Sequence, residues 1–362
     1  MTAPRASTPA SIQPVNVALI GLNFGGGIAH QLQANVKSLK IVGACDQDMT
    51  KAVEVGSQLG TCVYDSFDAV LRDDAVEAVG LFTGPHGRAG LIAKALKAGK
   101  HVITTKPFEL DVQAAARVLD EAERRNLVVH LNSPSPAPSR DLQIIRNWAE
   151  DHQLGRPLSL HVQTWAHYRE EPNGSWYDDP QLCPAAPILR LGIYFLNDFA
   201  PLLGPPRRVF ASQSRLFTKR PTADHAQASI EFKGGGLATV FSSFCTRDGE
   251  PYRDQVLLNF ENGTIRRWML RPHLPDMSHD SAVLELTTGG RVYGAQTEPG
   301  DYSGCYQWDA FAQAIRSGQS VGLEYKARVL YGLRLLDSIR RSLDSGLPEP
   351  VSNASPAKAA AG

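Results

Sequence analysis

Between Val15 and Leu131 the chain alternates short, β-rich apolar runs with helical stretches, and few folds accept that rhythm. The apolar runs are Val15–Ile20, Leu39–Ala44, Val76–Phe82, His101–Thr104 and Leu127–Leu131. Gly, Asp or Asn bounds each of them, as expected for strands buried on both faces. Helical segments such as Gly87–Ala98 and Val112–Arg125 lie between them. In the latter, Ala115, Val118, Leu119 and Ala122 fall on one stripe. Strand–helix alternation of this kind predicts a doubly wound parallel sheet of Rossmann type.

After the SPSPAPS stretch at 133–139 the period changes. A helix is expected over Asp141–Glu150. Beyond it Leu158, Leu160, Val162, Thr164 and Ala166 alternate with Ser159, His161, Gln163, Trp165 and His167, the period-two pattern of an amphipathic strand. Further strands are expected at Arg208–Leu216, Ala226–Phe232, Leu237–Phe244, Gln255–Phe260 and Thr264–Met269, with turns at Gly234–Gly236 and Asn262–Gly263. This reads as an open, mostly antiparallel sheet closed by two helices, Tyr306–Ser317 and Glu324–Ser342. The expected division is a disordered leader at 1–13, a dinucleotide-binding domain at 14–135, a substrate and oligomerisation domain at 136–351 and a disordered tail at 352–362.

Charge and cysteine content narrow the function classes. Lys plus Arg and Asp plus Glu number 37 each, and no basic run stands out, so neither nucleic acid nor an anionic membrane is an expected partner. No stretch approaches the roughly 20 apolar residues of a membrane span. The opening segment lacks the apolar core of a signal peptide, so a cytoplasmic location is expected. Five scattered Cys without a CxxC pair read as reduced thiols, and no His, Cys and carboxylate cluster has metal-ligand spacing.

The first strand runs into Gly21-Leu22-Asn23-Phe24-Gly25-Gly26-Gly27. A dinucleotide fingerprint needs one Gly for the tight turn, one where backbone meets pyrophosphate and one where helix packs on strand. Gly21 and Gly26 suit the first and third positions, and Asn23 occupies the second. Asp46 ends the second strand, where a carboxylate accepts ribose hydroxyls and repels a 2′-phosphate. NAD is therefore expected over NADP.

With these features in hand, the chain resembles the Gfo/Idh/MocA family. The resemblance is carried by VALIGLNFGG with the later ACDQD, by LFTGPHGRAGLIAKALKAGKHVITTKPFEL, by SWYDDPQLCPAAPILRLGIYFLNDFAPLLG and by the terminal SGLPEPV. It implies a Rossmann domain, a second domain with a large open sheet, homo-oligomers built on that sheet, and hydride transfer at a carbinol carbon of a sugar, polyol or related molecule. The family's Glu-Lys-Pro is Thr105-Lys106-Pro107 here, and its Asp-x-Gly-x-His is Arg190-Leu191-Gly192-Ile193-Tyr194.

Removing a hydride from C–OH also requires moving the hydroxyl proton. The resemblance implies Lys106 beside the reacting oxygen, with Tyr194 as proton carrier, its phenol lowered by a neighbouring cation. Arg190 cannot be a base. It either grips an anionic substituent or pairs with Asp178, Asp179 or Asp198. His167, Trp176 and Tyr177 are candidate sugar contacts. The expected cofactor contacts are Gly21, Asn23, Phe24, Gly25, Gly26 and Asp46, then Thr83, His86 and Arg88 in the Thr-Gly-Pro turn, then Lys106 and Pro107. Two other outcomes stay open: a sugar-modifying enzyme that uses tightly held NAD for transient oxidation, and a non-catalytic NAD-binding regulator.

Overall fold

The computed structural model describes residues 13–270, 280–320 and 322–352. Apart from Gln13 and Ser352, the expected leader and tail lie outside the described residues.

The first sheet has six strands: β1 (Val15–Ile20), β2 (Leu39–Cys45), β3 (Cys62–Tyr64), β4 (Ala78–Leu81), β5 (His101–Thr104) and β6 (Val129–Leu131). Their order is β3-β2-β1-β4-β5-β6 and every pairing is parallel. The helices that cover it are α1 (Leu22–Asn35), α2 (Met49–Leu59), α3 (Phe67–Arg72), α4 (Arg88–Lys97) and α5 (Val112–Arg124). Local chemistry sets their ends. Asp48 caps α2 by accepting from Thr50 N at 3.0 Å, and Gly60 closes it at φ 64°. Asp111 caps α5 through Gln113 N at 2.7 Å. The stripe Ala115, Val118, Leu119 and Ala122 is buried against the sheet.

Helix α6 (Arg140–Asp151) leads to a second, nine-stranded sheet. Its strands are β7 (Pro157–Ala166), β8 (Pro206–Ser214), β9 (His225–Phe232), β10 (Leu237–Ser243), β11 (Tyr252–Phe260), β12 (Gly263–Leu270), β13 (Ser281–Thr288), β14 (Arg291–Gln296) and β15 (Glu349–Pro350). Their order is β14-β13-β12-β11-β7-β10-β9-β8-β15. Of these pairings, β7 with β10 is parallel and the others are antiparallel. Strands β3, β13, β14 and the two-residue β15 were not anticipated from sequence. The first is three residues long and half exposed, too short for periodicity to show. In β13, buried Ala282, Leu284 and Leu286 do alternate, so the signal was present there.

One face of the second sheet packs against α7 (Ile193–Asp198) and α9 (Leu323–Ser345). Helix α8 (Trp308–Ser317) returns to the first domain, where Phe311, Ala312 and Ala314 join the core of β1 and α1. Ser38 Oγ donates to Asp309 at 2.5 Å, and Arg316 Nη1 to Glu77 at 2.5 Å. Helix α8 is thereby fastened to the first sheet at the amino ends of β2 and β4.

Candidate functional site

Gly21 turns the chain from β1 into α1 at φ 83°, a region that L side chains avoid. A Cβ there would stand 3.0 Å from both the carbonyl carbon and the oxygen of Phe82. Gly25 lies under the Phe82 ring, and Gly26 meets Val55 of α2. The first turn of α1 carries no acid of its own, and its positive dipole end opens on a cavity lined by Gly21, Asn23 and Phe24. Asp46 fixes the turn: its Oδ2 accepts from Leu22 N at 2.6 Å and its Oδ1 from Asp48 N at 2.9 Å. Lys51, from the first turn of α2, donates to the Asn23 amide oxygen across the same opening.

A cavity of about 1080 Å³ begins at this turn. Gly21, Asn23, Phe24, Asp46 and Lys51 line one end, Phe82, Thr83 and Gly84 its middle, and Thr105, Lys106, Trp176, Tyr177 and Tyr194 the other. Trp176 comes from the second domain yet lies against the first, since a Cβ on Gly84 would stand 2.9 Å from its ring.

Lys106 follows β5 and is held from several directions. Its backbone N–H donates to Asn132 Oδ1 at 3.1 Å, and its ammonium donates to the Arg190 carbonyl 84 residues away. The ammonium also stands 4.4 Å from the centre of the Tyr194 ring. Burial, with the Arg190 and Arg88 guanidinium groups behind it, pulls Lys106 from its usual 10.5 to about 7, while Cys183 acts the other way.

Tyr194 departs from expectation. Burial and the neighbouring Tyr306 push its phenol above the usual 10, although a hydrogen bond with Asn132 acts the other way. The reason is geometric: the Lys106 ammonium faces the ring, not the phenol oxygen, so it gives little support to a phenolate. Tyr194 keeps its proton at neutral pH.

Arg190 lies in a π turn over Ile188–Gly192 just before α7. Its guanidinium turns away from the cavity to Glu170, at 2.7 Å and 3.0 Å. The Tyr177, Phe244 and Tyr168 rings surround it, with centres 4.2, 4.7 and 5.0 Å away. Burial would raise the Glu170 carboxyl, yet Arg190 and Arg220 hold it below its usual range. The partner is therefore Glu170, and none of the three aspartates named from sequence. Glu170 is twenty residues upstream, on a segment whose return to Arg190 no local pattern announces.

The remaining candidates scatter. His86 lines a different cavity, with Glu109, Asp111 and Arg340. His167 is exposed and accepts from Arg247. Pro107 is buried, its carbonyl engaged by Arg88. Arg88, by contrast, lines the same cavity as Lys106, 1% exposed and with its guanidinium bonded to backbone carbonyls. Sequence reasoning overlooked Lys51, Asn132, Asn173 and Ser175. The first could have been found as the basic residue one turn beyond Asp46. Asn132 follows the last parallel strand, where ligands of such sheets bind.

Comparison with known proteins agrees with this architecture. Residues 15–133 match the model described as "Oxidoreductase family, NAD-binding Rossmann fold", and residues 142–266 match the "GFO/IDH/MocA C-terminal domain". A relative from Rhizobium meliloti, "Uncharacterized oxidoreductase ORF334", is 31% identical over 326 residues, 88% of this chain and 93% of its own. The chain belongs to the Gfo/Idh/MocA family of oxidoreductases. Another relative in this family comparison, "D-xylose 1-dehydrogenase (NADP(+)) 2" of Haloferax volcanii, is 26% identical over 83% of this chain and 88% of its own. The 3-ketoreductase KijD10 of Actinomadura kijaniata, solved with NADP and TDP-benzene, has the same fold at TM-score 0.72 and 20% identity, covering 91% of this chain and 98% of its own.

The residues present fit a nicotinamide dinucleotide. A helix N-terminus with no acid in its own first turn, and Asp46 beside it, meets a turn that a Cβ would block, and the cavity runs from there to Lys106. Among the described residues no group of three or more His, Cys, Asp or Glu could hold a metal ion, and no helix is long and apolar enough to cross a membrane.

Proposed function

We propose that this oxidoreductase transfers a hydride between NAD and a carbinol carbon of a neutral sugar or polyol, with Lys106 exchanging the hydroxyl proton. The observation that carries this reading is the Lys106 amine, drawn to about 7 in the cavity that also opens on the Gly21 turn. When bound, the nicotinamide supplies the hydride acceptor. The chain's part is the proton: above pH 7 a neutral Lys106 takes it from the substrate hydroxyl, and in reduction its ammonium returns it. The protonated Tyr194 offers a hydrogen bond in the same corner.

Asp46 supports NAD over NADP. Each of its carboxylate oxygens already accepts one backbone N–H, and its charge opposes a 2′-phosphate. With Arg190 held by Glu170, that guanidinium is not free to grip an anionic substituent, which favours a neutral substrate over a sugar acid. Trp176 and Tyr177, ring centres 4.1 Å apart, offer apolar surface to the C–H face of a sugar. Relatives are consistent with this chemistry, since one is named for D-xylose oxidation.

The test is a screen of D-xylose, myo-inositol and related neutral polyols, beside sugar acids, with NAD and NADP. Absorbance of reduced nicotinamide is followed for the wild type and Lys106→Met. Reduction of NAD by a neutral polyol, lost in the variant, supports the reading. Turnover confined to sugar acids, or unchanged in the variant, overturns it. A second copy of the chain is the partner assigned to the outward face of the second sheet, where Phe210, Leu237, Leu270 and Val292 are exposed. Light scattering that gives a monomer mass would reject that assignment.

A further inference from the structure

Arg88 opens helix α4 with a fully buried guanidinium that no carboxylate among the described residues touches. Its Nη1 donates to the carbonyls of Thr105 at 2.6 Å and Phe108 at 3.3 Å, and to that of Pro107; its Nη2 donates to the carbonyl of Thr83. Its Nε has no partner. The nearest acid, Glu109, is occupied elsewhere, accepting from Ala89 N at 2.8 Å and Leu110 N at 2.8 Å. A buried cation satisfied by carbonyl dipoles alone is unfavourable for stability, and an apolar side chain would fill the same space without that penalty. What an apolar side chain could not do is join these carbonyls. They belong to two turns, after β4 and after β5, which wall the cavity on either side of Lys106.

We propose that Arg88 is a positioning residue that ties the Thr83 turn to the 105–108 turn and so fixes Lys106 against the cavity. The planar fork of a guanidinium spans four carbonyls; an ammonium, with three donors on one nitrogen, cannot hold both turns in the same way. Its charge has a second consequence. Lys106 faces Arg190, Arg88, Cys183 and the Tyr194 ring, and both guanidinium groups oppose protonation of its amine. Arg88 in turn faces Glu109, Tyr306 and Tyr177; burial draws it to about 10, so it stays charged at neutral pH. This role rests on Lys106 as the proton-exchanging group, but its test needs no substrate. Turnover that survives Lys106→Met would reject the function above and leave the tie itself to the following measurement.

Lys106 acetylation by acetic anhydride is followed by peptide mass spectrometry from about pH 6 to about pH 9 for the wild type, Arg88→Met and Arg88→Lys. Amide hydrogen exchange is recorded on the same proteins. In Arg88→Met the Lys106 midpoint rises by about half a unit or more. Exchange at the amides of Thr83, Gly84, Thr105, Lys106 and Phe108 quickens about tenfold, while β1 changes little. Arg88→Lys restores the midpoint but leaves the two turns loosened. An unmoved midpoint in folded Arg88→Met, or turns that exchange at the wild-type rate, overturns the proposal. If Arg88→Met loses protection throughout, Arg88→Lys decides alone: loosening confined to the two turns supports the tie, and its absence rejects it.

Discussion

The two ends of the cavity are built by opposite strategies. At the phosphate end, one strand-to-helix turn does most of the work with backbone: Gly21, the start of α1, and Asp46 at the tip of the neighbouring strand. At the Lys106 end, side chains from the turns after β5 and β6, the 170–177 segment and α7 converge over long sequence separations. The difference teaches where local sequence suffices. A backbone-built site is encoded in a few consecutive residues; a side-chain-built one depends on how two sheets dock.

Substitutions should separate the ends, and the largest effect belongs to the side-chain end. Lys106→Met is expected to lower turnover about a thousandfold, the middle of the range for losing a proton-transfer group. Its NAD affinity should stay near wild type by calorimetry. Gly21→Ala should do the reverse at the backbone end. A left-handed φ and a Cβ 3.0 Å from the Phe82 carbonyl introduce strain of about 1–3 kcal/mol, so NAD binding weakens at least tenfold in the same calorimetric titration. If Gly21→Ala bound NAD normally, the contrast between the ends would collapse.

The same contrast explains what could be read from sequence. The main strands of both sheets, the phosphate turn and the position of Asp46 follow from periodicity, glycine spacing and strand ends. The partner of Arg190 did not, because Glu170 reaches it through a segment without regular secondary structure that folds back over the cavity. Nor did the state of Tyr194, because a cation over a ring and a cation beside a phenol oxygen look alike in sequence. The role of Arg88 was equally hidden: its four carbonyl partners carry no side-chain signature.

Smaller effects sharpen the comparison. Tyr194→Phe should leave NAD binding intact and lower turnover about tenfold, since it removes a donor and not the base. Asp46→Ser should narrow the preference for NAD over NADP, read as the ratio of dissociation constants, by about tenfold, and leave the pH profile alone. The pH profile belongs to Lys106. Its amine, lowered to about 7, is neutral above that pH and protonated below it. Alcohol oxidation should therefore rise as pH passes upward through 7, and ketone reduction should fall over the same interval. Stopped-flow rates in both directions would show the two limbs crossing.

The central claim is that Lys106 stands beside the bound nicotinamide with an amine that titrates near neutrality. Acetylation of Lys106 at pH 8, with and without saturating NAD, tests it most directly, with exposed Lys97 at the end of α4 as the internal reference. The account predicts at least about tenfold protection of Lys106 by NAD and none of Lys97. Equal labelling of Lys106 with and without the cofactor would contradict it.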